Sequence, residues 1–194
     1  MAKDPLLSFW LIPTKEDRAT LQTMIHQLAE QYGSVGFYPH VTLVTIPVTT
    51  VLSHLSIQDP LNDISPNTWT TYLTPSITNI KPLSLKIQGV HSSHEFAKTV
   101  FCRLEKTQTL LKVIKYLQQA MGQDSDPDLI DPHVSLIYQS LEPQTKEAIA
   151  RSIYVPQHTF HFDEIQIIEA PPQFETLADV KQLRCLHSQL LIHA

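Results

Sequence analysis

Two short segments of this 194-residue chain are nearly identical, and together they restrict its fold more than any other feature of the sequence. Residues 39–44 read PHVTLV and residues 132–137 read PHVSLI, so six consecutive positions differ only by Thr/Ser and Val/Ile exchanges. A repeat of this length should arise from composition in roughly one such chain in a thousand. The second copy therefore indicates two related halves, each of which carries the same structural element.

Both copies are predicted to be strands that place a histidine and a hydroxyl on one face. The segments 37–46 and 132–138 are rich in β-branched and aromatic residues. Alternate residues of a strand share a face, so His40 lies beside Thr42 and His133 beside Ser135, while the apolar residues between them face the core. If the two halves face each other, two imidazoles and two hydroxyls meet in one groove.

This set of side chains suits in-line displacement at a phosphodiester. One neutral imidazole can take a proton from water, the other can give a proton to the leaving oxygen, and the hydroxyls can hold the non-bridging oxygens. The alternative is that His40 and His133 are hydrogen-bonded core residues. His54 and His91 also precede a hydroxyl by two positions, but their surroundings do not match, and we interpret both as chance.

The rest of the chain predicts an α+β domain of two lobes. Apolar periodicity predicts a helix from Thr14, capped by Thr14 and ending at Gly33, and another from Thr107 to Gly122. A third helix is predicted after Ser65-Pro66, with apolar positions from Trp69 to Ile80. The remaining predictions are strands at residues 6–13, 83–90, 98–106, 159–170 and 180–192, and a short helix near residue 143.

Charge argues against a protein that holds long nucleic acid. The chain has 14 basic and 19 acidic residues, and both motifs lie in stretches without Lys or Arg, from residue 19 to 80 and from 116 to 145. We expect a cleft that takes a small, singly charged diester. The sequence also contains a basic cluster on the central hairpin. One of its members could reach a diphosphate, but a solvated face is the simpler interpretation: Lys81, Lys86, Lys98 and Arg103.

Other classes of protein and site are disfavoured. Cys102 and Cys185 are too few for a disulfide scaffold, and we expect free thiols in a reducing cytoplasm. No apolar run is long enough for a membrane span. The pairs His91/His94 and His158/His161 lack the partners of a zinc site. Four aromatic residues could stack on a purine, although core packing is the simpler interpretation: Trp10, Phe37, Tyr38 and Phe101.

The sequence resembles the two-histidine (2H) phosphoesterase superfamily, and within it the plant and yeast cyclic phosphodiesterases. The resemblance rests on SFWLIP near the amino end, FYPHVTLV, the hairpin leading into VFCRLEK, and DPHVSLIY, in the order that those enzymes show. It covers nearly the whole chain and implies one domain, residues 1–194. The implied fold is a bilobal α+β domain in which antiparallel sheets flank a central cleft.

The resemblance also implies roles for individual residues. His40 and His133 match the catalytic pair, and Thr42 and Ser135 match the substrate-binding hydroxyls. Tyr138 matches a tyrosine that contacts the substrate phosphate. By the same analogy His133 is the base and His40 the acid.

The implied activity is hydrolysis of ADP-ribose 1″,2″-cyclic phosphate to the 1″-phosphate, and of nucleoside 2′,3′-cyclic phosphates to 2′-phosphates. Two alternatives stay open. One is an enzyme that opens cyclic phosphates at RNA ends or joins tRNA halves, and the other is a nucleotide-binding module without turnover. No metal or other cofactor is expected, and the expected protein is a cytoplasmic monomer whose partner is a small cyclic nucleotide.

Overall fold

The structure is a computed structural model that describes residues 4–56, 71 and 74–192. Its strands are β1 (Leu6–Pro13), β2 (Val41–Pro47), β3 (Leu83–Ser92), β4 (Val100–Leu104), β5 (His133–Ile137), β6 (Thr159–Ala170) and β7 (Arg184–Leu190). Its helices are α1 (Lys15–Tyr32), α2 (Val48–His54), α3 (Gln108–Ala120), α4 (Pro143–Ser152) and α5 (Leu177–Val180). Short 3-10 turns span Phe96–Lys98 and Pro127–Leu129.

The strands pair in the order β2-β1-β6-β3-β4-β5, and β7 also pairs with β6. Every pairing is antiparallel. Strand β3 pairs with β6 through residues 83–86 and with β4 through residues 87–92, so it passes from one lobe into the other. The two motif strands, β2 and β5, therefore occupy the two outer ends of the strand order. This open, antiparallel α+β arrangement of two lobes confirms the predicted fold class.

The two motif strands share an irregularity that the sequence does not reveal. Strand β2 changes register against β1, and β5 changes register against β4, at corresponding places. The partners are Trp10 with Thr42 and Phe9 with Val44 in the first pair, and Phe101 with Ser135 and Val100 with Ile137 in the second. The skipped residues, Leu43 and Leu136, occupy the same position in the two copies. The halves thus share backbone geometry as well as sequence.

The core lies behind the motif faces. Alternate residues of β1 are buried with apolar residues of α1, including Leu7, Phe9, Leu21 and Ile25. Burying side chains of this size stabilises the fold by roughly 1.5–3 kcal/mol each. The apolar positions of the motif strands, such as Val134, belong to the same core.

The predicted ends of α1 and the predicted start of α3 are correct, but one capping interaction is wrong. Gly33 ends α1 in the left-handed conformation at φ 67°, and the Thr107 side chain accepts a hydrogen bond from Leu110 N at 3.2 Å. Thr14 precedes α1 but makes no side-chain cap bond. The nearby carboxylate of Asp17 instead accepts a hydrogen bond from His161 N of β6 at 2.7 Å, which ties α1 to the sheet.

Some predictions fall partly outside the described residues. The helix expected from Ser65 lies there for most of its length, although residues 74–77 are helical.

Both cysteines are free; Cys102 is buried as an apolar residue, whereas Cys185 is exposed. Within the described ranges, no helix is long and apolar enough to cross a membrane.

Candidate active site

One cleft collects all five predicted site residues. His40, Thr42, His133, Ser135 and Tyr138 line a cavity of about 260 Å³. His40 lies directly before β2 and Thr42 lies within it; His133 and Ser135 lie on β5, and Tyr138 directly follows it. The pairing of the strands thus brings the two copies of the motif together, as the repeat predicted.

Both imidazoles are anchored in the same way, by a hydrogen bond from Nδ1 to a backbone carbonyl oxygen. Nδ1 of His40 lies 2.7 Å from the carbonyl oxygen of Tyr38, and Nδ1 of His133 lies 2.7 Å from that of Asp131. A carbonyl only accepts, so each Nδ1 carries a proton and donates it. In the neutral ring this leaves a lone pair on Nε2, which can accept a proton from a substrate or from water.

His40 is strongly biased toward the neutral form. The pKa of His40 is lowered to about 3. Burial is the main cause and the nearby His133 adds to it, while the hydrogen bond to the Tyr38 carbonyl partly opposes the shift. The effect of His133 on the pKa of His40 means that the two rings are electrostatically coupled, so a proton on one disfavours a proton on the other.

His133 has a different electrostatic environment. The pKa of His133 is also lowered, chiefly by burial, and the hydrogen bond to the Asp131 carbonyl partly opposes this shift. The charge of Lys98 lowers the pKa of His133, whereas the carboxylates of Asp131 and Glu95 raise it. The two carboxylates therefore offset part of the lowering of the His133 pKa, whereas among the described residues no carboxylate is a cause of the His40 shift.

The hydroxyl groups of the second motif already have hydrogen-bond partners within the protein. Ser135 is buried and donates to the carbonyl oxygen of Ala97 at 2.6 Å. A phosphate oxygen must therefore compete with this carbonyl for the Ser135 proton. Burial raises the pKa of Tyr138, and a hydrogen bond with Ser135 opposes this, so the phenol stays protonated. The Tyr138 ring stacks on Phe37 at 3.7 Å.

A linked set of residues on β1 and β2 forms part of the cleft wall and was not assigned to the site from sequence: Ser8, Trp10 and Thr45. The Trp10 ring stacks on His40 with centroids 3.5 Å apart and planes 4° apart, and Trp10 Nε1 donates to Ser8 Oγ at 2.9 Å. Ser8 Oγ lies 3.0 Å from Thr45 Oγ1. This series of contacts, from Thr45 through Ser8 to Trp10, fixes the plane of the His40 ring. The aromatic residues were interpreted as core, and Trp10 is both buried and part of the cleft wall.

The interpretation of Lys98 as part of a solvated face is wrong, whereas the Arg103 side chain is 38% exposed. Lys98 lines the cleft, and its side chain is only 13% exposed. Its Nζ lies 2.6 Å from a carboxylate oxygen of Asp131, and the same carboxylate accepts from Arg103 Nε at 3.0 Å and from Arg103 Nη2 at 3.1 Å. Burial alone would raise the pKa of Asp131, but the two cations hold it below its usual range.

The sequence analysis did not place Lys98 in the cleft, because its position there depends on long-range strand pairing. It lies far along the chain from both motifs, in the loop between β3 and β4. The pairing of Arg103 with His133 in the β4–β5 ladder brings this loop to the start of β5. By contrast, Lys81 and Lys86 are exposed, as predicted for the whole cluster.

An aromatic contact closes one side of the cleft. Phe174, in the segment after β6, also lines the cavity. Its ring meets Tyr138 edge-on with centroids 5.6 Å apart and Phe96 with centroids 6.2 Å apart. The segment after β6 therefore reaches from the first lobe onto the second.

Two His-x-Thr/Ser strands that face one cleft, in two pseudo-symmetric lobes, define a two-histidine phosphoesterase. The family model described as cyclic phosphodiesterase-like protein matches residues 6–161, and the chain belongs to that family. Among proteins of curated function, no sequence matches this chain.

Solved structures show the same fold at low sequence identity. Escherichia coli LigT in complex with 3′-AMP is 11% identical and superposes with a TM-score of 0.54, covering 98% of this chain and 100% of LigT. Its complex with NADP⁺ is 11% identical at a TM-score of 0.53, covering 99% and 100%. TT0787 of Thermus thermophilus is 12% identical at a TM-score of 0.56, covering 96% and 97%.

Proposed function

We propose that the protein hydrolyses a small cyclic phosphodiester by acid–base catalysis between His40 and His133. The observation that carries the proposal is the pair of carbonyl-anchored imidazoles that line one cleft with their Nε2 atoms available. One ring removes a proton from the attacking water, and the other protonates the leaving ribose oxygen as the P–O bond of the ring breaks. The reaction consumes one water molecule and converts the cyclic diester into one phosphomonoester.

We assign His40 as the base and His133 as the acid, which reverses the assignment by analogy. A base must be neutral at the start of the reaction, and the low pKa of His40 keeps it so. An acid must carry a proton, and although burial and Lys98 lower the pKa of His133 overall, the carboxylates of Asp131 and Glu95 oppose that shift. The coupling between the two rings supports a state with one proton on the pair.

Thr42, Ser135 and Tyr138 are proposed to hold the non-bridging phosphate oxygens. Lys98 adds one positive charge at the cleft wall, which matches the single negative charge of a cyclic diester. A monoester product carries nearly two negative charges, and Asp131 already neutralises part of Lys98. The cleft is therefore proposed to bind the diester more tightly than its product.

The proposed substrates are ADP-ribose 1″,2″-cyclic phosphate and nucleoside 2′,3′-cyclic phosphates, which would yield the 1″-phosphate and 2′-phosphates. LigT has been crystallised with 3′-AMP and with NADP⁺; by analogy, we propose a nucleotide as the ligand. We also propose that the protein is a cytoplasmic monomer and that its partner is a small nucleotide substrate. Action at RNA ends is the second candidate, and a binding module without turnover is the third.

A side-by-side substrate panel tests this proposal. Purified protein is given ADP-ribose 1″,2″-cyclic phosphate, the four nucleoside 2′,3′-cyclic phosphates and a cyclic-phosphate-ended RNA, and the products are identified by ³¹P NMR. We expect a monoester from at least one small substrate. Turnover of the RNA alone would favour the second candidate, and no turnover of any substrate would favour the third.

We propose that the reaction needs no metal, because the two imidazoles supply both proton transfers. The expected result is full activity after EDTA treatment and dialysis, measured as kcat on the best substrate of the panel. Loss of activity that zinc or manganese then restores would contradict the mechanism.

A further inference from the structure

A second cavity lies on the other side of the loop that carries Lys98. The loop between β3 and β4 forms one wall of each cavity: Glu95, Ala97 and Lys98 line the cleft, and Ser93, His94 and Thr99 line the second cavity. The second cavity has a volume of about 240 Å³ and is completed by the start of α4, including Glu142, Pro143 and Lys146. We call it the lateral pocket.

The lateral pocket contains a buried lysine without an acidic partner. Lys146 is only 6% exposed. In the part of the chain that the structure describes, no carboxylate lies within ion-pairing distance of its Nζ. Lysine is almost never buried to this degree unless it is paired, because removing an ammonium from water costs several kcal/mol.

The contact that Lys146 does make leaves its charge uncompensated. Its Nζ lies 3.1 Å from Nδ1 of His94. An ammonium only donates, so the imidazole is the acceptor and is neutral in this contact. One of the three N–H groups of Lys146 is thus accounted for, and the positive charge meets no negative partner among the described residues.

The start of α4 adds a second attraction for an anion at the same place. Glu142 is the N-cap residue of this ten-residue helix, but its side chain makes no cap bond and is exposed. The first-turn backbone N–H groups, including those of Gln144 and Thr145, have no partner within the helix. Together with the helix dipole, they favour an anion beside the first turn.

We propose that the lateral pocket binds a phosphate-type oxyanion, either inorganic phosphate or the phosphate group of a monoester. Lys146 supplies the charge, and the start of α4 supplies the favourable potential. A tetrahedral oxyanion can accept several hydrogen bonds at once, which matches a pocket lined by the Lys146 side chain next to the first turn of α4. The exposed Glu142 carboxylate also lines the pocket and opposes anion binding, which limits the affinity of the site. This site is separate from the cleft and does not depend on the proposed reaction.

The pocket is tested by titrating the protein with inorganic phosphate and, separately, with ribose 5-phosphate in a chloride buffer. The readout is NMR: the backbone amides of Gln144 and Thr145 and the ring of His94 report on the pocket, and the rings of His40 and His133 report on the cleft. We expect saturable shifts at the pocket. The ligand with the lower Kd there identifies the free ion or the monoester as the better occupant.

Lys146→Met is the decisive variant, and Lys112→Met, at an exposed position on α3, is the matched control. Lys146→Met should weaken binding at the pocket by about tenfold to a hundredfold, while shifts at the cleft persist. Lys112→Met should leave both sites unchanged. Absence of pocket shifts in the wild-type protein, or equal affinity in Lys146→Met, would overturn the proposal.

Thermal unfolding gives an independent measurement on the same proteins. In buffer without phosphate, Lys146→Met should unfold at the same or a higher temperature, because it removes an uncompensated buried charge. Added phosphate should raise the Tm of the wild-type protein more than that of the variant. The opposite result would be a Lys146→Met variant with a lower Tm than the wild type in phosphate-free buffer and the same rise in Tm when phosphate is added. That result would show that the contact with His94 alone satisfies Lys146, and it would overturn the proposal.

Discussion

Each proposed catalytic histidine is held by a carbonyl oxygen that lies two residues before it in the chain. Tyr38 serves His40, and Asp131 serves His133, at the same distance of 2.7 Å. The side-chain environments then differ, because Trp10 stacks on His40 whereas Phe101 meets His133 edge-on at 5.3 Å. Equivalent backbone positions thus support two rings with different affinities for a proton.

Lys98→Met tests how charge sets the proton affinity of His133. Lys98 lowers the pKa of His133, so its removal should raise that pKa. With His133 as the acid, kcat/KM falls as pH rises through its pKa, and this alkaline limb should therefore move to higher pH. KM should also rise several-fold, since the phosphate loses a cation. The measurement is the pH profile of kcat/KM.

Lys86→Met, at an exposed position on β3, is the control for this profile and should leave the alkaline limb unchanged. An unchanged or downward-shifted limb in Lys98→Met would contradict the assignment of His133 as the acid.

The strands explain why the sequence predicted part of the cleft and missed the rest. Strict alternation of side chains along a strand correctly placed His40 and Thr42 on the same face. The same alternation would also put Val44 on that face, toward the cleft. The register shift at Leu43 turns Val44 into the core and Thr45 into the cleft. A bulge of this kind depends on the partner strand, so a single-strand pattern cannot reveal it.

The helices provide a matched test of side-chain capping. Thr107 and Thr14 both precede helices, but only Thr107 makes a side-chain cap bond. Thr107→Ala should lower the free energy of unfolding by about 1 kcal/mol, and Thr14→Ala by much less. Urea unfolding of both variants measures the difference. Equal losses would contradict the capping roles that the structure gives these residues.

At the scale of the whole molecule, the sequence predicted two lobes but not how they join. The repeat implied the pseudo-symmetric halves, whereas the passage of β3 between the lobes depends on its separate pairing with β6 and β4. Hydrogen bonds also connect the end of α1 to the end of β5: Ser34 Oγ donates to the Tyr138 carbonyl at 2.7 Å, and Gln139 Nε2 to that of Gly33 at 3.1 Å. These contacts fix the cleft at one end.

The charge of the whole molecule predicts a weak response to RNA length. The net charge is −5, and at the cleft wall Lys98 is paired with Asp131. A ten-nucleotide RNA that ends in a 2′,3′-cyclic phosphate should therefore bind no more tightly than the mononucleotide, and log KM should change little with log salt. KM is measured for both substrates at low and at physiological salt. A gain of about tenfold for the RNA that salt abolishes would favour the RNA-end function.

The central claim is that His40 and His133 act as one acid–base pair, and kcat of their alanine variants tests it most directly. Each single variant should lower kcat by about 10²- to 10⁴-fold on the best small cyclic substrate. The double variant should lose little more than either single one, because residues that act as a unit are not additive. The control, His54→Ala at the exposed end of α2, should keep wild-type turnover. Wild-type kcat in either His40→Ala or His133→Ala, with the fold intact by circular dichroism, would contradict the account.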